Sequence, residues 1–239
     1  MSSQKSIKDN LEIIRNKISQ AENKSGRAQG SVKLMAVSKF HPSDAVIEAF
    51  GAGQLLFGEN RVQEASEKFP PLIEQHPDIE LHMIGQLQSN KVKKAVTFAS
   101  CIQSVDRIDL LSEIEKQCAK INRQIRILFE VHTGEESKSG FTTEEDLYKA
   151  IEACAAGDFP HIIPNGFMTM APFTEDEKLI RKSFITLREL SQKLKPQFPS
   201  LALTELSMGM SGDFEIAIEE GSTLVRVGTA IFGERDYSK

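Results

Sequence analysis

What this sequence lacks excludes several classes at once. Its three cysteines, Cys101, Cys118 and Cys154, stand far apart and form no Cys-x-x-Cys pair. A set so sparse and odd builds no disulfide framework and fits a reducing compartment. The five histidines, His41, His76, His82, His132 and His161, show no His-x-x-x-His spacing, so no metal site is expected. The N-terminus, MSSQKSIKDNLEII, has no uninterrupted apolar core of the signal-peptide kind. No stretch approaches the ~18 apolar residues of a membrane span. A soluble, cytoplasmic protein with no membrane partner is the expectation. A net charge of -5 offers no excess of positive charge to a polyanion, which argues against nucleic acid. Dinucleotide and nucleotide fingerprints are missing too. There is no G-x-G-x-x-G, and Gly228 to Gly233 has Walker-type glycine spacing but continues as Glu234-Arg235 rather than Lys-Ser/Thr.

What is present has a regular order. The chain's 239 residues, 40% of them hydrophobic, suffice for a substantial core and match the size of one α/β barrel. Ile7, Leu11, Ile14 and Ile18 mark one face of an amphipathic helix over 5–22, followed by a polar break, NKSGRAQGS. Beyond it, short apolar runs alternate with helical patterns. Strands are expected at 32–37, 55–57, 81–84, 101–105, 125–131, 162–168, 203–206 and 224–227. Helices are expected at 42–52, 90–98, 107–121, 144–154 and 176–194, with Asn60 placed to cap another. Such alternation implies a parallel sheet with right-handed crossovers. About eight strands close most simply as a (β/α)8 TIM barrel; an open doubly wound sheet is the competitor. No composition shift divides the chain. It reads as a single domain, 1–239, with an extra N-terminal helix and linker over 1–30 and the barrel over 31–233.

Functional residues of such a barrel lie on the loops after the strands. After the first strand, in LMAVSKF, comes Lys39, either a solvated loop residue or an amine at the mouth of a pocket. After the seventh, LSMGMSGDFEIAI sets Ser207, Gly209, Ser211 and Gly212 between strand and helix. After the eighth, LVRVGTAIFGER sets Gly228 and Thr229. Glycines let backbone N–H groups converge, hydroxyls add donors, and a helix N-terminus favours an anion. These two loops are the recurrent phosphate site of TIM barrels. Arg226 lies inside the apolar run Leu224–Val227, where an unpaired charge is costly. It is either an arginine paired at the barrel rim or one aimed into the pocket.

An amine, a phosphate cradle and an inward arginine together suggest pyridoxal 5′-phosphate. Its aldehyde would meet Lys39, its phosphate Ser207, Ser211, Gly228 and Thr229, and its ring nitrogen Arg226. A cationic partner keeps the pyridine nitrogen unprotonated, which weakens the ring as an electron sink and disfavours broad carbanion chemistry.

At this point the sequence resembles a known family, the pyridoxal phosphate homeostasis proteins, YggS/PROSC-type relatives of the alanine racemase barrel. The matching stretches are AVSK, FGENRVQE, HMIGQLQSNK, SVD, GEESKSGF, GFMTMAP, LSMGMSGDFEIAI and RVGTAIFGER, in the family's order. The resemblance implies an alanine-racemase-like barrel without the C-terminal β domain, with Lys39 as the Schiff-base lysine. It implies phosphate contacts from Ser207, Ser211, Gly228 and Thr229, ring contact from Arg226, and Asn60 and Met208 beside the cofactor. Lys138 matches a family lysine near the pocket, although from the sequence alone it reads as a solvated loop residue.

Racemases and related decarboxylases need that second domain to bring an opposing catalytic group, and this chain of 239 residues is expected to lack it. A lone lysine without an opposing acid or base is poorly equipped for two-sided racemisation. The expected role is therefore to hold the cofactor as a lysine aldimine, as a monomer, and to serve vitamin B6 homeostasis and supply, including transfer to apo-enzymes. A weak amino-acid racemase is the alternative. An aldolase acting on a sugar phosphate is disfavoured, because no carboxylate is evident beside Lys39 and His41 reads as the start of the next helix.

Overall fold

The computed structural model describes residues 6–134 and 139–233. The opening helix, α1 (Ile7–Lys24), starts at a capping box in which Ser6 accepts from Asp9 N and Asp9 accepts from Ser6 N. Leu11, Ile14 and Ile18 are its buried stripe. After it the chain alternates strictly: β1 (Lys33–Val37), α2 (Ser43–Gly51), β2 (Leu56–Glu59), α3 (Val62–Gln75), β3 (Glu80–Met83), α4 (Ser89–Ala95), β4 (Cys101–Val105), α5 (Ile108–Lys120), β5 (Ile125–Glu130), α6 (Glu144–Ala156), β6 (Ile162–Met168), α7 (Glu177–Leu194), β7 (Glu205–Ser207), α8 (Phe214–Glu219), β8 (Leu224–Val227) and α9 (Thr229–Phe232).

All eight strands are parallel and the sheet closes, with β1 paired to β8 from Lys33↔Leu224 to Ala36↔Val227. Closure decides against the open doubly wound alternative. The helix α1 lies across the seam of that closure. Its Asn10 side chain donates to Ile231 O on α9, Arg15 donates to Ala52 O after α2, and Lys17 pairs with Glu215 on α8. The buried Glu22 carboxylate accepts from Gly30 N, Ser31 Oγ and Val32 N, which fixes the linker as it enters β1.

Side chains alternate between two interiors. The layer between sheet and helices holds most of the apolar core, including Phe57, Phe69, Phe129, Phe167 and Phe184, all fully buried. A smaller cluster of Cys101, Leu128 and Met168, with Met170 packed on it, is separate from that layer. Two strand assignments move for one reason. The strand expected at 203–206 is Glu205–Ser207, and the one expected at 55–57 extends to Glu59. Glu205, Ser207 and Glu59 are polar residues buried in strands, so an apolarity pattern slides off them. Asn60 does not cap α3, whose N-cap is Arg61 without a side-chain bond, and that helix runs on through Pro70 and Pro71.

Candidate functional site

A cavity of about 670 Å³ opens at the C-terminal mouth of the barrel, a volume suited to a small cofactor. Register explains who faces it. Met35 pairs with Arg226 and Ala36 with Val227, and laterally paired residues share a face. Alternation then puts Val37 and Lys39 on the face of Arg226 and Gly228. Lys39, Asn60, Ser211, Arg226, Gly228 and Thr229 all line this cavity.

The two glycine-containing loops converge there. Gly228 N donates to Ser211 Oγ at 3.3 Å, and Arg226 N donates to Gly209 O at 2.9 Å. Gly209 has φ 97°, and a Cβ on it would lie 2.6 Å from the Ala217 side chain, so α8 can approach only a glycine. Gly85, on the far wall, is equally constrained: its Cβ would sit 2.4 Å from Asn60 O. The helices α8 and α9 are only six and four residues long, so an anion here would rest on individual N–H groups and hydroxyls more than on a summed helix dipole.

Arg226 is 4% exposed. Its Nη1 donates to Ser207 O and Ser207 Oγ, each at 2.7 Å, and Nη2 donates to Thr169 O at 2.8 Å. Donors on Nη2 and Nε remain for a ligand. Burial lowers its pKa to about 10, opposed by Asp213 and Glu130, so the guanidinium is still charged at neutral pH. Ser207 Oγ passes its own hydrogen to Gln103 Oε1 at 2.7 Å, and Gln103 Nε2 meets His82 Nδ1 at 2.8 Å. The amide must therefore donate to Nδ1, which puts the imidazole proton on Nε2. A polar chain thus runs from Arg226 through Ser207 and Gln103 to His82, whose pKa burial lowers.

Ser207 and Met208 stand apart from the other expected residues. Both are fully buried, and neither borders the cavity. Lys138 falls outside the described residues. Several residues of the site escape the sequence reading. His41 does not start α2, which begins at Ser43; it lines the cavity with its ring 5.1 Å from that of Phe232. Asp213 also lines the cavity, so a carboxylate does share a pocket with Lys39. Glu130 is 1% exposed, with Oε1 accepting from Ser139 Oγ and Oε2 without a hydrogen-bond partner among the described residues. Burial raises its pKa. Its signal was legible, since an acid inside the run Ile125–Val131 carries the same implication as Arg226 in its own run.

Behind Lys39 the backbone is held in an uncommon state. Phe40 has φ 66°, which for a bulky residue costs on the order of 1–2 kcal/mol. Phe40 N donates to Glu64 Oε1 at 2.7 Å, and Arg61 lies over the Phe40 ring at 5.3 Å.

A closed parallel barrel with a lysine at the end of its first strand, and glycine- and hydroxyl-bearing loops after its last two, belongs to a recognisable class. The family described as alanine racemase, N-terminal domain, matches residues 5–236. Among curated proteins the chain is 41% identical to the pyridoxal phosphate homeostasis protein of Vibrio cholerae, over 238 residues covering 98% of this chain and 99% of that one. PipY of Synechococcus elongatus, solved without and with pyridoxal phosphate bound, superposes with TM-scores of 0.85 and 0.84. It is 35% identical, and the match covers 95% of this chain and 100% of that one. This chain belongs to the alanine racemase N-terminal domain family and, within it, to the pyridoxal phosphate homeostasis proteins.

Proposed function

We propose that this protein binds pyridoxal 5′-phosphate at the C-terminal mouth of the barrel and contributes to intracellular vitamin B6 homeostasis and supply. One observation carries the reading: Lys39, Arg226 and the Ser211–Gly228 pair line a single cavity of suitable volume. The donor set matches the cofactor's chemistry group by group. Lys39 offers the amine for the aldehyde. Ser211 Oγ, Gly228 N and Thr229 would hold the phosphate. Arg226 would offer its remaining donors to the ring nitrogen, and Asn60, on the cavity wall, would lie beside the cofactor. Ser207 and Met208 act from behind the lining, Ser207 by holding the Arg226 guanidinium and Met208 by anchoring the start of its loop through Met208 N to Leu224 O.

When bound, pyridoxal phosphate supplies an electrophilic aldehyde on an electron-withdrawing ring. Arg226 tempers that withdrawal, because a cation beside the pyridine nitrogen opposes its protonation. A site that captures an aldehyde and offers little help to carbanion formation suits storage and delivery better than turnover. We take the protein to act as a monomer and to deliver the cofactor to apo-enzymes. A cytoplasmic location accords with three free cysteines, two of them buried. No cluster of metal-ligating side chains occurs among the described residues.

The test is direct. Protein mixed with pyridoxal phosphate should develop visible absorbance, and borohydride should fix the cofactor on Lys39. Lys39→Ala should lose the fixed product entirely. A wild-type protein that gives neither colour nor fixed product would sink the proposal. Incubation with L- and D-amino acids in deuterated water separates holding from catalysis: repeated α-proton exchange would replace this reading with a racemase.

A further inference from the structure

The buried lysine of α3 has no part in the site described so far, yet it touches the chain on both sides of Lys39. Lys68 is 7% exposed. Its Nζ donates to Ser38 O and to His41 O, each at 2.9 Å, the carbonyls that bracket Lys39 and Phe40. The same ammonium lies 2.7 Å from Glu59 Oε1 and 3.0 Å from Glu64 Oε1. Glu59 in turn accepts from Ser38 Oγ at 2.7 Å, and Glu64 accepts from Phe40 N at 2.7 Å. Lys68 Nζ, Glu59 Oε1 and Glu64 Oε1 therefore all reach the backbone or side chains of residues 38 to 41, while Glu59 Oε2 has no hydrogen-bond partner among the described residues. At its centre is Phe40, in the left-handed region that a bulky side chain disfavours.

We propose that Lys68, together with Glu64, is a positioning residue that holds Phe40 in its left-handed conformation and so aims Lys39 into the cavity. A left-handed residue immediately after Lys39 reverses the chain direction, and relaxation of Phe40 to an ordinary conformation would swing the preceding side chain away from Arg226. Such a conformation persists where the surroundings over-determine it. Here a cation grips two carbonyls and a carboxylate grips the amide between them. Stability alone does not require this arrangement, since an ordinary φ at Phe40 would carry no strain. The inference rests on the reading of Lys39 as the amine that meets the cofactor.

The experiment compares the wild type with Lys68→Met, Glu64→Gln, Phe40→Gly and the double variant Lys68→Met/Phe40→Gly. Each is mixed with pyridoxal phosphate, and the rate and extent of borohydride-fixed product on Lys39 are followed across pH. Inorganic phosphate, as a competitor, reports anion anchoring separately. Lys68→Met should lower adduct formation about tenfold, the ratio that ~1.4 kcal/mol represents, with phosphate affinity retained. Glycine takes a positive φ without penalty, so Phe40→Gly should restore most of that loss in the double variant. Equal adduct formation in Lys68→Met and wild type overturns the clamp, and so does a loss that glycine does not repair. If Lys68→Met fails to fold, Glu64→Gln carries the same expectation, with faster hydrogen exchange at the Phe40 amide. Absence of product in the wild type itself would instead strike the cofactor reading, before any variant is compared.

Discussion

The two mouths of the barrel are both ringed with charge, but the charges are used differently. At the N-terminal mouth, where the strands begin, Lys33 pairs with Glu205 at 3.2 Å and Arg126 with Glu80 at 2.7 Å. Asn165 completes Glu205 at 3.0 Å. Each of these four charged groups finds an opposite neighbour and, apart from Glu205, remains partly open to water, while the buried neutral-ring nitrogen His82 Nε2 behind them has no hydrogen-bond partner among the described residues. At the C-terminal mouth Arg226 is buried with donors unspent, and below the rim a Glu130 oxygen has no hydrogen-bond partner among the described residues. Charges that satisfy one another stabilise a closed end. Charges buried with capacity left over cost stability and are the mark of a place where something else binds.

The comparison can be broken most forcefully at its two arginines. Arg226→Leu strips the donors from Ser207 O and Thr169 O inside the barrel and should cost about 3 kcal/mol, read as a lower urea midpoint. Arg226→Glu should also alter the visible spectrum of the cofactor-loaded protein while phosphate anchoring survives. Arg126→Leu, at the solvated end, should cost under ~1 kcal/mol and leave that spectrum unchanged. Equal destabilisation by the two leucine variants would erase the distinction between the mouths.

A smaller effect is expected in the polar chain beneath the site. Gln103→Leu orphans the Ser207 hydroxyl hydrogen and His82 Nδ1, both buried, and should cost ~1–3 kcal/mol. Because Ser207 then loses its own restraint on Arg226, the cofactor spectrum should shift as well. A stability loss with an unmoved spectrum would mean that the chain supports the barrel but does not orient the arginine.

The mildest contrast is in pH dependence, where the two mouths have opposite signs. His82 Nε2 faces Glu80 from 3.8 Å and Arg126 closes on it at 2.7 Å, holding its pKa at about 2. The arginine is the effective partner, because His82 Nε2 lies beyond hydrogen-bond reach of Glu80. Glu80 therefore contributes stability above pH 4.5 that is lost as pH falls toward 2. Glu130 is raised by burial, so its contribution is present below pH 4.5 and lost as pH rises through its elevated value. Glu80→Gln should flatten the acid limb of a plot of urea midpoint against pH, and Glu130→Gln the opposite limb. If neither limb responds to its own variant, these carboxylates do not distinguish the two ends.

The alternation of apolar runs and helices made the barrel legible in the sequence, because parallel strands covered by helices must be apolar on both faces. Strand ends were less legible where Glu59, Glu205 or Ser207 point a polar group at a partner distant in the chain. The two glycine- and serine-containing loops were legible as a candidate anion site by their place after the last two strands, although a single such turn before a helix is more often an ordinary cap. Lys39 stood out as a charge just past an apolar run and Arg226 as a charge within one, and Glu130 carried the same mark as Arg226. Lys68 carried none: in VQEASEKF it looks like any solvated helical lysine, and only folding brings it under Ser38 and His41.

The sequence by itself determined the order of elements, the closing size of the sheet and the residue types gathered at one end of it. These follow from local periodicity and from the cost of burying unpaired charge, both readable along a single chain. Tertiary structure decided which of those residues face one cavity, that Ser207 serves Arg226 from behind it, and how Phe40 is held to aim Lys39. Those outcomes depend on strand register and on contacts across the barrel, between residues as far apart as Gln103 and Ser207. Geometry of that kind exists only once the sheet has closed.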